Sequence, residues 1–177
     1  YEAGRKEPGT DEYELQKNII KNLEIPFECA VQDNILPLDE YDFIIDAMFG
    51  IGLSRDVTGV YAQIIDEINR VSAVKVAVDI PSGLSAGIVQ VSNKKVKADY
   101  TVTFGLKKLG MFFLDGIDAC GTVICKPIGF PAQAVAHVKP MIYAYDNSDL
   151  DKLPKRVNNS NKGTYGRVAV IAGSKNM

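Results

Sequence analysis

The sequence predicts an α/β fold, a three-layer Rossmann-like sandwich built on a mostly parallel sheet. Residues 41–49 (YDFIIDAMF) and 74–80 (VKVAVDI) are apolar, rich in β-forming residues and followed by glycine or proline, which indicates two buried strands. Between them, apolar residues recur at the spacing of an amphipathic helix, at Tyr61, Ile64, Ile65, Ile68 and Val71. A strand, a helix and a strand within about 40 residues form a βαβ unit, whose two strands run parallel.

Before this unit, the pattern predicts a loop over residues 1–10, a helix over 11–23 and a short strand over 25–31. The loop segment is polar and contains glycine and proline, whereas the helix presents one apolar face. That face consists of Leu15, Ile19, Ile20 and Leu23. Proline is tolerated on an edge strand or in the first residues of a strand, so Pro26 predicts that the short strand lies at a sheet edge or begins near this residue.

After the unit, residues 82–97 are polar and punctuated by glycine, and we expect an excursion at the edge of the sheet. Two further strands are predicted over residues 99–104 and 122–127.

The composition changes near residue 146, which predicts a first domain over residues 1–145 and a polar, asparagine-rich linker over 146–161. Residues 166–173 (GRVAVIAG) indicate a buried strand ending in a glycine turn. Residues 162–177 are therefore expected to be the first strand of a second, truncated domain.

Charge and composition exclude several functional classes. The net charge is −2, from 20 basic and 22 acidic residues, so we expect no nucleic-acid partner. No apolar segment is long enough for a membrane helix. The three cysteines fit no zinc motif and predict buried thiols in a reducing, cytoplasmic compartment. A single histidine argues against serine-protease chemistry and multi-histidine metal sites.

Two carboxylates are the main candidates for chemistry. Asp46 and Asp79 each end a predicted strand and precede a glycine loop. Ligands of open parallel sheets bind beyond the carboxyl ends of the strands, so both side chains are expected at one crevice. Like charges there would raise a pKa or recruit a cation. Either aspartate alone more often closes a turn or caps a helix, but the pair favours a functional site.

The neighbouring loops are less specific. Gly50 and Gly52 lack the third glycine of a dinucleotide fingerprint, because Arg55 stands in its place. Lys107 and Lys108 are predicted to form a solvated face, although glycines on both sides suggest a shaped loop.

Several segments together are similar to a known family. They are DAMFGIGLSRDVTGVYAQII from residue 46, VAVDIPSGL from 76, ADYTVTFGLKKLG from 98, and a GTV…IGFP segment over 121–131. In this order they resemble the YjeF N-terminal domain family, the NAD(P)HX epimerases. The tail, LPKR and then KGTYGRVAVIAGS, resembles the opening of the ribokinase-like NAD(P)HX dehydratase, which bacterial repair proteins fuse after the epimerase. The family's GNNGGDG loop has no counterpart, so the resemblance implies an epimerase domain lacking its N-terminal part.

The resemblance also implies roles for single residues. Asp46 and Ser82 match the family's potassium ligands, and Asp79 matches the carboxylate that contacts substrate, the expected acid–base residue. The segment matching the family's substrate-lining positions consists of Gly50, Ile51, Gly52, Leu53, Ser54, Arg55 and Asp56, together with Tyr61.

The implied function is repair of hydrated NADH and NADPH by interconversion of their S and R forms at ring carbon C6. An acid would protonate the C6 hydroxyl, the ring nitrogen would expel it, and water would return on either face; Asp79 could give and retake that proton. Potassium, ADP or ATP for the second enzyme, and a homo-oligomer belong to the same expectation. The alternatives are a non-catalytic scaffold, since the family includes RNA-decapping assembly modules, and a plain nucleotide-binding domain.

Overall fold

The computed structural model describes residues 1–4, 9–30, 37–138, 142–145 and 147–173. The chain divides into two compact units, Tyr1–Phe130 and Pro131–Met177. The helices and strands of the first unit are β1 (Glu2–Ala3), α1 (Asp11–Asn22), β2 (Cys29–Ala30), β3 (Phe43–Asp46), α2 (Gly59–Arg70), β4 (Val74–Val78), β5 (Tyr100–Phe104), α3 (Asp115–Cys120) and β6 (Thr122–Lys126). The second unit contains α4 (Ala132–Val138) and a 3₁₀ turn, Asn147–Lys152.

The main sheet of the first unit has the strand order β3-β4-β5-β6, and all its neighbouring strands are parallel. The register places Asp46 beside Ala77 and Thr101 beside Val123. β1 and β2 form a separate parallel pair. The α/β class, the parallel sheet and the predicted βαβ unit are confirmed, and the arrangement is consistent with a Rossmann-like three-layer fold.

Helix α2 lies on one face of this sheet because its apolar residues are spaced as the sequence predicts. Ile65 and Ile68 are buried in a cluster with Ile44 of β3 and Val71 beyond the helix end. Burying side chains of this size stabilises a fold by about 1.5–3 kcal/mol each. This packing holds β3, the strand that ends at Asp46, against the helix.

The other face of β3 is open. Phe43 and Ile45 are 67% and 70% exposed, whereas Ile44 and Asp46 on the α2 side are buried. The prediction of a strand buried on both faces is therefore wrong for this strand. Alternate side chains of a strand point to opposite faces, and α2 covers only one of them.

The long connection between β4 and β5 is an integral part of the core. It joins two neighbouring strands inside the sheet, not at its edge as expected, and Ser82, Leu84 and Val96 within it are buried. Gly83 has φ +93°, and a Cβ there would lie 2.0 Å from the carbonyl oxygen of Lys94. A glycine is required for the two ends of this connection to approach so closely.

The N-terminal predictions are partly corrected. The predicted loop over residues 1–10 contains strand β1. This strand pairs with β2, which lies inside the strand predicted over residues 25–31. Residue 31 lies outside the described residues. Helix α1 agrees with its prediction and begins after Thr10, whose hydroxyl accepts from the Tyr13 amide. Its apolar residues Leu15 and Leu23 are exposed, so propensity and capping define this helix more than burial does.

In the second unit, the strand predicted over residues 166–173 is absent; these residues form neither helix nor strand. Val168, Val170 and Ile171 are exposed. A buried parallel strand needs a partner strand and covering layers, and the described part of this unit contains only a helix and a 3₁₀ turn.

The cysteines do not all behave as buried thiols. Cys120 is buried, and this burial raises the pKa of its thiol to about 11. Cys29 and Cys125 are free and exposed. Among the described residues, no helix has the length and apolar character needed to cross a membrane.

Candidate functional site

The first part of the site is a clamp between Asp46, at the end of β3, and Ser82, in the turn after β4. Ser82 donates its backbone N–H to Asp46 Oδ2 at 2.7 Å and its hydroxyl to Oδ1 at 2.6 Å. The amide of Phe49 in turn donates to Ser82 Oγ at 2.9 Å. Both clamp residues are buried. The two positions implied as potassium ligands are thus brought together.

The charge of the Asp46 carboxylate is not compensated within the clamp. Burial raises the pKa of Asp46, against the hydrogen bonds from Ser82 and the Met48 amide, which lower it. None of the ion pairs among the described residues involves Asp46. Carboxylate and hydroxyl oxygens are the donors that hard cations prefer. A buried carboxylate that lacks a positive partner therefore fits a cation site.

The second part of the site centres on Asp79, immediately after β4. Its backbone has φ +68°, a left-handed conformation that is uncommon for a residue other than glycine. Oδ1 of Asp79 accepts from the Phe104 amide at 3.1 Å, from the Thr103 hydroxyl at 3.2 Å and from the Lys108 ammonium. All three donors lie at or just beyond the carboxyl end of β5.

Lys108 is the residue that sequence reasoning missed. It is not part of a solvated face: its side chain is 15% exposed, and its Nζ also donates to Thr103 Oγ1 at 2.8 Å and to the Phe104 carbonyl at 3.1 Å. Partial burial by itself would raise the pKa of Asp79, but the hydrogen bonds from Lys108 and Phe104 and the lysine charge bring it below its ordinary value. Asp79 is therefore a carboxylate at neutral pH.

The expected like-charge pair does not form. The groups that shift the pKa of Asp46 are Ser82 and the Met48 amide, and those that shift the pKa of Asp79 come from β5 and its following loop. The two aspartates have separate partners because the turn containing Ser82 binds one and the loop containing Lys108 binds the other. β3 and β4 are neighbours as predicted, but the two carboxylates do not perturb each other.

The loop after β3 borders a cleft of about 620 Å³. Four of the residues implied to line a substrate contribute to its wall: Leu53, Arg55, Asp56 and Tyr61. The Tyr61 ring packs against Phe49 with a centroid distance of 5.0 Å.

The other implied positions, Gly50, Ile51, Gly52 and Ser54, belong to the exposed part of the same loop. A Cβ built on either glycine would meet no heavy atom within 4 Å. These glycines are therefore not required by close packing in this structure.

Phe49 connects the clamp with the cleft, and no sequence pattern selects this residue. Its amide binds Ser82 while its ring lines the cleft beside Tyr61. An aromatic residue at the end of an apolar segment resembles any core residue, so only the fold identifies this position.

The site therefore has three separate parts. The clamp contains buried oxygens of the kind that hard cations prefer, the cleft has apolar and charged walls, and Asp79 is an ionised carboxylate. The described residues contain no group of three or more His, Cys, Asp or Glu side chains placed to hold a metal ion. A transition-metal centre built from such ligands is thus not present in this part of the chain.

Comparison with known proteins gives a consistent result. The family model of the YjeF-related protein N-terminus matches residues 2–110. A bifunctional NAD(P)H-hydrate repair enzyme Nnr of Thermofilum pendens is 37% identical over 138 residues, which cover 78% of this chain and 26% of that enzyme. An NAD(P)H-hydrate epimerase of Oenococcus oeni is 40% identical over 129 residues, 73% of this chain and 60% of that enzyme. A bifunctional Nnr enzyme of Dictyoglomus turgidum is 31% identical over 169 residues, 93% of this chain and 32% of that enzyme. The chain thus spans between about a quarter and three fifths of the length of these relatives.

Proposed function

This chain belongs to the family of the YjeF-related protein N-terminus, and from that premise we propose that it is the epimerase part of an NAD(P)H-hydrate repair enzyme. Its substrates would be the hydrated forms of NADH and NADPH. The reaction would interconvert the S and R configurations at C6 of the hydrated nicotinamide ring.

The observation that carries this proposal is the ionised, anchored carboxylate of Asp79 at the carboxyl end of a central parallel strand. In the substrate, C6 bears a hydroxyl group and is bonded to the ring nitrogen. Inverting C6 requires breaking one of these two bonds and remaking it on the other face, and either route needs a proton to be moved. A side chain placed for proton transfer accelerates such steps by roughly 10²–10⁴-fold. We assign this transfer to Asp79.

The cleft and the clamp would then bind and orient the nucleotide. Leu53 and Tyr61 provide apolar contact, and Arg55 provides a positive charge at the rim of the cleft. Asp46 and Ser82 would hold potassium. The charge of this ion would neutralise the buried carboxylate and fix the start of the loop after β3. The link from Ser82 to the Phe49 amide supports this coupling.

The test measures the conversion of one epimer of the substrate into the other. The purified protein, given one chromatographically pure epimer of hydrated NADH, should produce the other until the two reach the same ratio from either side. Spontaneous epimerisation sets the baseline and is measured in the same buffer without protein. A protein that binds the nucleotide but leaves the conversion rate at the baseline would support the binding-module alternative.

The remaining assignments follow from the same premise. We propose that residues 1–145 form the epimerase domain, that residues 146–161 form a linker and that residues 162–177 begin a dehydratase domain that uses ADP or ATP. Of these, residues 5–8, 31–36, 139–141, 146 and 174–177 lie outside the described part of the chain. We also propose a cytoplasmic location and self-association, with no nucleic-acid partner.

A further inference from the structure

Lys108 and Asp79 form a hydrogen-bond network that does not include Oδ2 of Asp79. Oδ1 of Asp79 accepts from the Lys108 ammonium, the Thr103 hydroxyl and the Phe104 amide. The three donor positions of the ammonium are matched by Asp79 Oδ1, Thr103 Oγ1 and the Phe104 carbonyl. Among the described residues, the hydrogen bonds to the Asp79 carboxylate all go to Oδ1 and none to Oδ2.

This pattern separates the two oxygens by role. An oxygen that already accepts three hydrogen bonds is a poor acceptor for a fourth, while the other oxygen keeps its lone pairs. The ammonium has no spare N–H, so it cannot donate to a ligand without breaking the network. The side chain able to meet a substrate is therefore Asp79, through Oδ2.

We propose, resting on the proposed function, that Lys108 is a positioning residue that holds Asp79 as a carboxylate with Oδ1 anchored and Oδ2 free to act as a base on the C6 hydroxyl group. The positive charge of Lys108 stabilises the ionised form, and its contacts with Thr103 and Phe104 fix the carboxylate plane. Asp79 consequently begins the reaction by accepting a proton, not by giving one.

The step that follows from this assignment is opening of the ring. Oδ2 takes the hydroxyl proton while the C6–N1 bond breaks; the oxygen and C6 form an aldehyde, and the electron pair of the broken bond remains on N1. There it is delocalised through the C2=C3 double bond into the carboxamide. After rotation about the C5–C6 bond, N1 adds to the opposite face of the carbonyl and the oxygen regains its proton from Oδ2. No oxidant, reductant or additional reactant is needed.

The test compares two adjacent lysines. Lys107 lies with its Nζ 5.8 Å from the centroid of the Phe112 ring and is the matched control. Lys108→Met should reduce kcat by roughly 100-fold, the scale of an approximately 1 Å misplacement. It should also move the acid limb of the pH–kcat profile to higher pH, because the pKa of Asp79 rises when the ammonium is removed. Lys108→Arg should leave the pH of the acid limb nearly unchanged. Lys107→Met should change neither kcat nor the pH of the acid limb.

Failure of this inference can be distinguished from failure of the proposed function. An active parent protein whose Lys108→Met variant loses activity with an unmoved acid limb, or keeps full activity, overturns the positioning role. Absence of conversion by the parent protein overturns the proposed function. In that case the role of Lys108 is decided by the ¹³C carboxyl signal of Asp79: a titration midpoint that rises in Lys108→Met supports it, and an unchanged midpoint overturns it.

Discussion

Ser82 donates hydrogen bonds to both carboxylate oxygens of Asp46, at 2.7 Å from its amide and 2.6 Å from its hydroxyl. The two residues are 36 positions apart in the chain. Their contact joins the end of β3 to the turn after β4 and places a buried negative charge at the start of the loop after β3. Because Ser82 is neutral, it satisfies the hydrogen bonds of Asp46 but does not compensate its charge.

We expect potassium to stabilise the protein through Asp46. Burial raises the pKa of Asp46, so the ionised carboxylate is less favourable in the folded state than in the unfolded chain. The corresponding stability is present below the unfolded pKa and is lost as the pH rises through the folded pKa. A bound cation should offset this loss by about 2.7 kcal/mol when its concentration is ~100 times the dissociation constant.

The measurement is the Tm at neutral pH in potassium chloride and in tetramethylammonium chloride at equal ionic strength. The parent protein should melt at higher temperature in potassium, and Asp46→Asn should show equal values in the two salts. Equal values for the parent protein would contradict the assignment of this site.

Replacing Asp79 by Asn should leave the fold intact and remove most of the epimerisation rate, by roughly 10²–10⁴-fold. Asparagine tolerates the left-handed backbone that Asp79 adopts, whereas most other residues would add strain. Initial rates with one epimer measure the effect. Asp118→Asn on the exposed side of α3 is the control and should retain the parent rate. An Asp79→Asn protein as active as the parent would remove Asp79 from the mechanism.

The two routes to inversion at C6 predict different fates for the hydroxyl oxygen. Loss of the hydroxyl and return of water would bring an oxygen from the solvent into each inverted molecule. Ring opening keeps the original oxygen on C6. In H₂¹⁸O, we expect product formed early in the reaction to remain unlabelled by mass spectrometry. Incorporation of one ¹⁸O per inversion would instead favour the route in which the hydroxyl is lost and water returns.

Ile65→Ala should lower the free energy of unfolding by about 2–5 kcal/mol, because it opens a cavity in a fully buried part of the α2 contact. Denaturant unfolding followed by circular dichroism measures this loss. Gln63→Ala, on the exposed side of the same helix, should change stability by less than about 0.5 kcal/mol. Similar losses for both variants would show that α2 does not anchor the sheet as described.

Deleting residues 158–177 should leave the Tm of the first unit nearly unchanged and reduce self-association. The segment belongs to the separate second unit and exposes Val168, Val170 and Ile171. Calorimetry and sedimentation velocity of the two proteins provide the comparison. A fall of several degrees, where ~4–8 °C corresponds to about 1 kcal/mol in a small domain, would show that the segment supports the first unit.

Much of the fold could be predicted because its elements have strong local patterns. The helical spacing through Ile65 and Ile68 and the β-rich segment around Val76 were sufficient to place the βαβ unit. The positions of Asp46 and Asp79 followed from the general rule that parallel strands end at a common edge.

The rest depends on contacts between distant parts of the chain. The local sequence predicts a solvated lysine at position 108, because its partner, Asp79, lies 29 positions earlier. The burial of Ser82, Leu84 and Val96 is accompanied by the close approach of Gly83 to Lys94, which no periodicity reveals. The exposed face of Phe43 and Ile45 was also unpredictable, since an apolar segment does not indicate how many of its faces are covered.

The place of β3 in the sheet has a consequence for how the structure opens. Among the described strands, β3 pairs only with β4, whereas β5 pairs on both sides. Amide hydrogens of β3 should therefore exchange with solvent through local fluctuations, while those of β5 should exchange only in larger opening events. Ser82 binds the carboxylate at the end of β3, so the clamp opposes fraying of the strand that positions Asp46. The residue that we propose as a cation ligand thus lies on an edge strand, and its own hydrogen bonds restrain the local motion of that strand.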